Sequence, residues 1–335
     1  MGARIAAVDY FLPDAVLTNE DLSREFPEWS VEKISAKTGV DRRHISGPDE
    51  FSSDLAIAAG RALFASHDID PQSIDYLIVC TQSPDYYLPS TACIVQDALG
   101  LPTSAGATDI TLGCSGYIYG LGLAKGLIES GQAKRILVIT ADTYTKFINP
   151  ADKSVRTIFG DGAAATLVTD DGAADAITAI TYGTDGAGAK SLIVPNGGLR
   201  QGAAIQPKSD AAVRELESSG YDLYMDGPDI FNFTLRVVPG TVDEILAKAG
   251  AELDDIDLFV FHQANAFMLE HLRKKLGVPA DRFFVSLAES GNTVSSTIPI
   301  ALADAERTGA LKPGMRVMLL GFGVGLSWGG LVATW

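Results

Sequence analysis

The sequence predicts an α/β protein made of two copies of one unit, each a mostly parallel sheet covered by helices. Three observations carry this reading. "HDIDPQSIDYLIVCTQSP" at 67–84 is echoed by "AGAELDDIDLFVFHQAN" at 249–265, and Ile74 and Ile256 lie 256 − 74 = 182 residues apart. In both, a small or polar helix end leads into Ile-Asp and an apolar strand. "GLGLAKGLIESGQAKRILVITAD" is echoed in turn by "IALADAERTGALKPGMRVMLLGFG", with Ile136 and Val317 separated by 317 − 136 = 181. Two motifs in the same order at nearly one spacing mark a duplication, at a period far too long for a solenoid. Finally, short apolar runs ("IDYLIVC", "RILVIT", "IDLFVF", "RVMLLGF") alternate with helical stretches, the pattern of helix-covered α/β sheets.

Taken in order, the first half spans 1–172. Its opening, "MGARIAAVDYFLPDAV", carries Asp9 and Asp14 and no long apolar core, so no signal peptide is expected. "YLIVC" is a strand ending at Cys80, and "STACIVQDALG" a helix with Cys93 on its apolar face. Both cysteines read as small buried hydrophobes. "ATDITLG" then alternates toward a short strand, and "GYIYGLGLAKGLIESG" has helical spacing of Ile118, Leu121, Leu123 and Leu127. Cys114 falls at the junction between them. The positive end of a helix dipole there favours thiolate, and Gly113, Ser115 and Gly116 leave room for a substrate and a strained turn. Local context alone leaves a nucleophile and a structural cysteine equally open.

The halves are expected to meet at the polar break "TDDGAADAIT", near 170–180, and the second half spans 173–335. Residues 196–230, rich in Gly, Pro and polar side chains, read as an irregular covering segment, after which "FNFTLRVVPGTVDEIL" resumes a helical pattern. "IDLFVF" places His262 just past a strand, and "SLAESGNTVSSTIP" places Asn292 in a Gly-Asn-Thr turn. Singly, each is ordinary: histidine is frequent at strand ends, and Gly-Asn is common turn chemistry. Together they are not. Cys114, His262 and Asn292 each follow an expected strand at corresponding edges of a duplicated sheet, and ligands of open α/β sheets bind at the carboxyl ends of strands. His67 and His271 lie in polar helical surroundings, and His44 in the basic loop "DRRHIS".

Composition narrows the function classes. The 335 residues are 47% hydrophobic and 20% charged, enough for a sizeable core. Net charge is −16, which disfavours nucleic acid and anionic membrane as partners. Three cysteines make no disulfide framework and point to a reducing, cytoplasmic setting. No apolar run reaches the roughly 18 residues of a membrane span. "GLGLAKG" misses the dinucleotide fingerprint, and "GTDGAGAK" has Ala189 where a phosphate loop needs lysine. Neither H-E-x-x-H nor paired C-x-x-C occurs, so no metal is expected. One basic run stands out against the acidic whole: Arg273, Lys274 and Lys275 in "EHLRKKLG".

Five ordered motifs, "GCSGYIYGL" around Cys114, "FGDGAAA" at 159–165, "HQAN" at 262–265, "GNT" at 291–293 and "GFGVGLSWGG" at 321–330, resemble those of β-ketoacyl-acyl carrier protein synthase III, in the thiolase superfamily. The similarity runs along essentially the whole chain. It implies a thiolase-like fold, a duplicated five-layer αβαβα arrangement, and a homodimer. It further implies that Cys114 takes an acyl group from a thioester, and that malonyl on acyl carrier protein is then decarboxylated, with His262 and Asn292 stabilising the enolate. The backbone N–H groups of Cys114 and Val324 would form the oxyanion hole. No cofactor or metal is implied. An acyltransferase of the same fold, passing the acyl group to an oxygen or nitrogen nucleophile, is the alternative.

The departures from the family pattern concern the substrate. Lys33 stands where a tryptophan stacking on the coenzyme A adenine is usual, with Trp29 four residues earlier. Lys37 and Lys153 stand at two arginine positions, and Phe267, after Asn265 of "HQAN", replaces a third. Lysine pairs with phosphate but neither stacks nor forks as arginine does, so the resemblance shifts toward an acyl chain delivered on carrier protein. Leu88 takes the position of an aromatic residue that closes the acyl pocket. Lys274 and Lys275 match the carrier-docking lysines, with Arg273 beside them.

Overall fold

A computed structural model describes residues 2–170, 176–200 and 220–335. The expected boundary at 172/173 lies outside the described residues, as does 201–219 of the expected covering segment. The strands are β1 (Ala3–Phe11), β2 (Ala15–Thr18), β3 (Arg42–Ile45), β4 (Tyr76–Cys80), β5 (Gly106–Ile110), β6 (Arg135–Asp142), β7 (Gly162–Asp170), β8 (Ile177–Thr184), β9 (Leu192–Ile193), β10 (Tyr224–Met225), β11 (Leu258–Phe261), β12 (Arg316–Gly323) and β13 (Ser327–Thr334). The helices are α1 (Asn19–Glu25), α2 (Val31–Thr38), α3 (Ser52–Ser66), α4 (Thr91–Ala98), α5 (Gly116–Glu129), α6 (Lys153–Arg156), α7 (Gly227–Ala249), α8 (Ala266–Leu276) and α9 (Thr297–Arg307).

Two sheets form the body, ordered β1-β7-β6-β4-β5 and β8-β13-β12-β11. Read from β1 and from β8, they are the same sheet twice. Each contains one reversed strand: β7 runs antiparallel to β1 and β6, and β13 antiparallel to β8 and β12. The fifth strand of the second copy survives only as an isolated parallel bridge, Phe259 to Phe283. The repeat holds to the residue. Tyr76 pairs with Ile136 and Leu258 with Val317, where 258 − 76 = 182 and 317 − 136 = 181.

The Ile-Asp signature has a physical reason. The Asp75 carboxylate accepts from the backbone N–H of Arg135 at 3.0 Å while its own N–H bonds the Arg135 carbonyl. Asp257 does the same with Arg316, at 2.7 Å from the carboxylate. In each half, a carboxylate thus fixes the register of the two central parallel strands at their entry, satisfying backbone groups that the ladder leaves unpaired.

Helices α5 and α9 lie between the two sheets, α3 and α4 cover the outer face of the first, and α7 covers the outer face of the second, giving the αβαβα layering. The middle layer is held by Tyr117, Ile118, Leu121 and Ile128 of α5 and Ile298 and Leu302 of α9, all fully buried. Each such side chain stabilises the fold by about 1.5–3 kcal/mol. Leu123, expected on this face, is half exposed. His44 belongs to β3, not to a loop, with Nδ1 2.5 Å from the Pro13 carbonyl. Cys80 is buried as expected, but Cys93 is exposed, with Sγ 3.2 Å from Ser90 Oγ. Helix α4 buries Thr91, Ala92 and Val95 instead, so its buried face passes on either side of Cys93 and leaves the thiol exposed. No described helix is long and apolar enough to cross a membrane.

Candidate active site

Cys114 is 5% exposed and sits two residues before the first residue of α5, held by a tight turn in which the Gly116 N–H bonds the Gly113 carbonyl at 2.7 Å. Glycines make room for it. A Cβ on Gly323 would lie 2.8 Å from both Cβ and Sγ of Cys114, closer than carbon atoms approach without displacement. Gly323→Ala is therefore expected to push the thiol out of line: acyl loading on Cys114, followed by intact-protein mass, falls at least about tenfold, while circular dichroism stays that of the parent. Full loading of that variant would show that the close approach is not needed.

The thiol itself departs from the expectation of an easily formed thiolate. Burial, then the charge of Asp142, push Cys114 up to about 12, against the lowering effect of the nearby backbone N–H groups of Val324 and Cys114. Desolvation outweighs the helix terminus here, because a buried anion loses its water while a helix end supplies only about half a charge. Cys114 rests as a neutral thiol.

His262 follows β11 and is buried, its own N–H bonded to the Leu320 carbonyl at 2.8 Å. Its Nδ1 lies 2.7 Å from Thr297 Oγ1, and the ring stands edge-on to Phe322 at 5.6 Å. Burial drives its pKa down to about 3, so the imidazole is neutral at physiological pH. Asn292 is buried on the next loop. Its Oδ1 accepts from the Val294 N–H at 2.9 Å, leaving Nδ2 with only a long 3.5 Å contact to the Ala264 carbonyl. Val294 has φ +57, a left-handed conformation that costs a β-branched residue about 1–3 kcal/mol. The bond to Asn292 Oδ1 offsets part of that strain and fixes the amide's orientation.

These three side chains line one cavity of about 270 Å³, with Ser154, Ile158, Phe159, Met225 and Met268 around it. Val324 lines a neighbouring cavity of about 780 Å³, together with Gln82, Tyr86, Tyr87, Tyr144 and Phe147, and Leu192 borders both. Leu88 is 82% exposed in the single chain and lines neither cavity; its neighbours Tyr86 and Tyr87 do line the larger one.

Trp29 is ringed by ammonium groups: Lys33 Nζ at 5.2 Å, Lys37 Nζ at 4.9 Å and Lys153 Nζ at 5.8 Å from the ring centroid. Lys153 also pairs with Glu28, and its neighbour Ser154 lines the smaller cavity. Asn265 lines that cavity too, but its side chain caps α8 by accepting the Met268 N–H at 2.8 Å. Phe267 is 62% exposed and stacks on Phe231 at 5.7 Å, with His271 beside both. In the basic run, Arg273 forks onto Glu270 at 2.8 Å and Lys274 reaches the same carboxylate at 3.1 Å. Lys275 donates to the Leu235 carbonyl of α7 at 2.8 Å. Thr297 and Gly323, which orient His262 and admit Cys114, carried no separate signal in the sequence beyond lying inside quoted motifs. Among the described residues no group of three His, Cys, Asp or Glu could hold a metal ion.

The duplicated layering puts the protein in the thiolase-like class of folds, and comparison with known proteins narrows it. Residues 108–186 match the family model of 3-oxoacyl-[acyl-carrier-protein (ACP)] synthase III, and residues 246–335 that of its C-terminal part. The β-ketoacyl-[acyl-carrier-protein] synthase III of Caldanaerobacter subterraneus is 36% identical over 335 residues, covering 100% of this chain and 98% of the relative. That of Clostridium perfringens is 39% identical over 328 residues, 98% of this chain and 97% of the relative. A crystal structure of a 3-oxoacyl-(acyl-carrier-protein) synthase III, 49% identical, superposes with a TM-score of 0.94 over 100% of both chains. The chain belongs to the β-ketoacyl-acyl carrier protein synthase III family. It is a condensing enzyme, an acyltransferase-type transferase of fatty acid biosynthesis.

Proposed function

We propose that Cys114 carries the acyl group and that His262 and Asn292 serve the decarboxylative half of the reaction. The observation that supports this most is that Cys114, just before the start of α5, lines one small cavity together with His262 and Asn292. In the first step Cys114 Sγ attacks the thioester carbonyl, the carbon–sulfur bond to the donor breaks, and the thiol proton ends on the departing pantetheine sulfur. The N–H groups of Cys114 and Val324 hold the oxyanion. Because the resting thiol is neutral, its proton leaves as the carbonyl takes up charge.

Malonyl on acyl carrier protein then enters, loses carbon dioxide and becomes an enolate whose oxygen lies between His262 and Asn292. Both are suited to donating without adding charge. The neutral imidazole presents Nε2–H when the Thr297 hydroxyl donates to Nδ1 at 2.7 Å in preference to the Val294 carbonyl at 3.2 Å, and Asn292 presents Nδ2 because its Oδ1 is already engaged. The enolate carbon attacks the acyl-Cys114 carbonyl, the sulfur leaves, and a β-ketoacyl thioester results.

For the donor, Phe267 in place of a cation and lysines crowding the Trp29 face favour an acyl chain on carrier protein over coenzyme A. Lys274 and Lys275, with Arg273, are the docking surface in this reading. The protein acts as a cytoplasmic homodimer: β5 is an edge strand, and exposed Tyr86, Tyr87 and Leu88 lie close by, a combination that a second copy would cover. The testing experiment weighs the intact protein after incubation with matched acyl-carrier and acyl-coenzyme A thioesters. The expected result is faster loading from carrier protein, and a Lys274→Glu, Lys275→Glu variant that loses at least about tenfold of that rate at low salt yet loads normally from small thioester mimics. Equal or faster loading from coenzyme A would overturn the donor assignment.

A further inference from the structure

Behind the thiol lies a carboxylate that the mechanism above does not use. Asp142 ends β6, fully buried, and its two oxygens collect donors from both halves of the molecule. Oδ1 accepts the Gln82 N–H at 2.8 Å, and Oδ2 accepts the Ser295 hydroxyl at 2.5 Å and the Ser295 N–H at 3.3 Å. No cation pairs with it among the described residues. Gln82 continues the chain of contacts: its Oε1 accepts the Tyr144 hydroxyl at 2.7 Å and packs on Gly113, where a Cβ would lie 2.4 Å away. Gly113 precedes Cys114, and Ser295 lies three residues beyond Asn292.

The duplication shows what this arrangement replaces. Helix α5 begins at 116 and α9 at 297, and 297 − 116 = 181. The same offset carries Cys114 onto 114 + 181 = 295 and Asp142 onto 142 + 181 = 323. One half therefore sets a cysteine beside a glycine and keeps a pocket. The other sets Ser295 against Asp142 and closes it with a hydrogen bond. A neutral side chain could close it without burying a carboxyl that lacks a counter-ion, a costly choice if closure were the only purpose.

We infer that Asp142 is a positioning residue for the condensation, clamping the Cys114 loop through Gln82 to the Asn292 loop through Ser295 and setting the charge beside the thiol. The titratable groups facing it are Cys80 from β4, Cys114 from the turn before α5, Tyr144 from the segment after β6 and Asp161 from the turn before β7, with no cationic group among them. Burial pushes the Asp142 carboxyl up to about 7, so it becomes anionic as pH rises through neutrality and then opposes ionisation of Cys114.

The inference rests on the reading of Cys114 as nucleophile and Asn292 as enolate donor, and two variants separate it from that reading. Asp142→Asn removes the charge but retains an acceptor for Gln82; Ser295→Ala cuts the clamp and leaves the charge. Iodoacetamide modification of Cys114 is followed against pH by peptide mass, so that Cys93 and Cys80 are counted apart. Asp142→Asn is expected to speed Cys114 modification about tenfold at pH 8, one pKa unit, and Ser295→Ala to leave it unchanged. Ser295→Ala is expected to lower kcat on the order of tenfold, with KM for the malonyl donor within about twofold and the melting temperature retained, as misplacement of a reacting group does. An Asp142→Asn profile that overlays the parent, a Ser295→Ala enzyme with parental kcat, or a kcat loss that merely follows a lowered melting temperature would each overturn the proposal. Acyl groups mapping to a residue other than Cys114 in the parent would instead overturn the underlying reading, while leaving the alkylation profile interpretable.

Discussion

Cys114→Ser is expected to abolish the covalent intermediate and lower condensation on the order of 10⁶-fold, the scale on which loss of a nucleophile acts. The oxygen is no substitute in this setting. Burial holds His262 to a pKa of about 3, which makes its imidazole too weak a base to take the proton of a hydroxyl, and that proton is held far more tightly than a thiol's. Peptide mapping after exposure to acyl thioester should place the added mass on Cys114 in the parent and nowhere in the variant. Mass on exposed Cys93 or buried Cys80 at comparable rates would defeat the assignment. The pH dependence has a definite sign. Since Cys114 is pushed up to about 12, the thiolate fraction of the empty enzyme rises throughout the accessible range, so alkylation of Cys114 by iodoacetamide should keep accelerating between pH 7 and 10 with no plateau.

His262→Ala and Asn292→Ala are each expected to reduce carbon dioxide release from malonyl-carrier thioester by about 10²–10³-fold, the cost of losing one donor to a developing oxyanion. Cys114 should still accept an acyl group in both variants, because the oxyanion hole assigned to it is built from backbone N–H groups, those of Cys114 and Val324, which neither substitution removes. His262→Gln separates charge from geometry: the histidine is neutral, with its pKa down to about 3, so an amide donor at the same place should retain more activity than alanine. Decarboxylation should also show no fall on raising pH from 5 to 7 attributable to His262, since the proton it would lose in that range is already absent. Unchanged carbon dioxide release in both alanine variants would contradict the division of roles.

How much of this was legible in the sequence differs from element to element. The duplication was readable because parallel-strand register is set locally: the Ile-Asp pairs recur at 182 residues, and the same carboxylate-to-backbone contact recurs with them. Cys114 and His262 could be named because each lies in a short motif just after a strand, β5 and β11, which is a local property, whereas Asn292 follows no strand and sits on an isolated bridge to Phe159, so only its Gly-Asn-Thr turn was local. The sign of the Cys114 shift was misjudged from the same residues. A helix terminus is visible in sequence, whereas the burial that outweighs it comes from β12, about two hundred residues later. Cys93 failed for a smaller reason: a helical face is uncertain by one position when the flanking residues are small.

The sequence by itself determined the repeat, the class of fold and the short motifs that carry Cys114, His262 and Asn292. Each follows from spacing within a few residues, where side-chain period and turn chemistry act directly. The tertiary structure alone decided which groups face one another. Asp142 meets Ser295 across 153 positions of chain, and Thr297 orients His262. Contacts of that kind depend on packing two sheets against shared helices. Nothing in a serine, threonine or aspartate announces such a partner, because hydrogen-bonding capacity is the same whether water or a distant loop fulfils it.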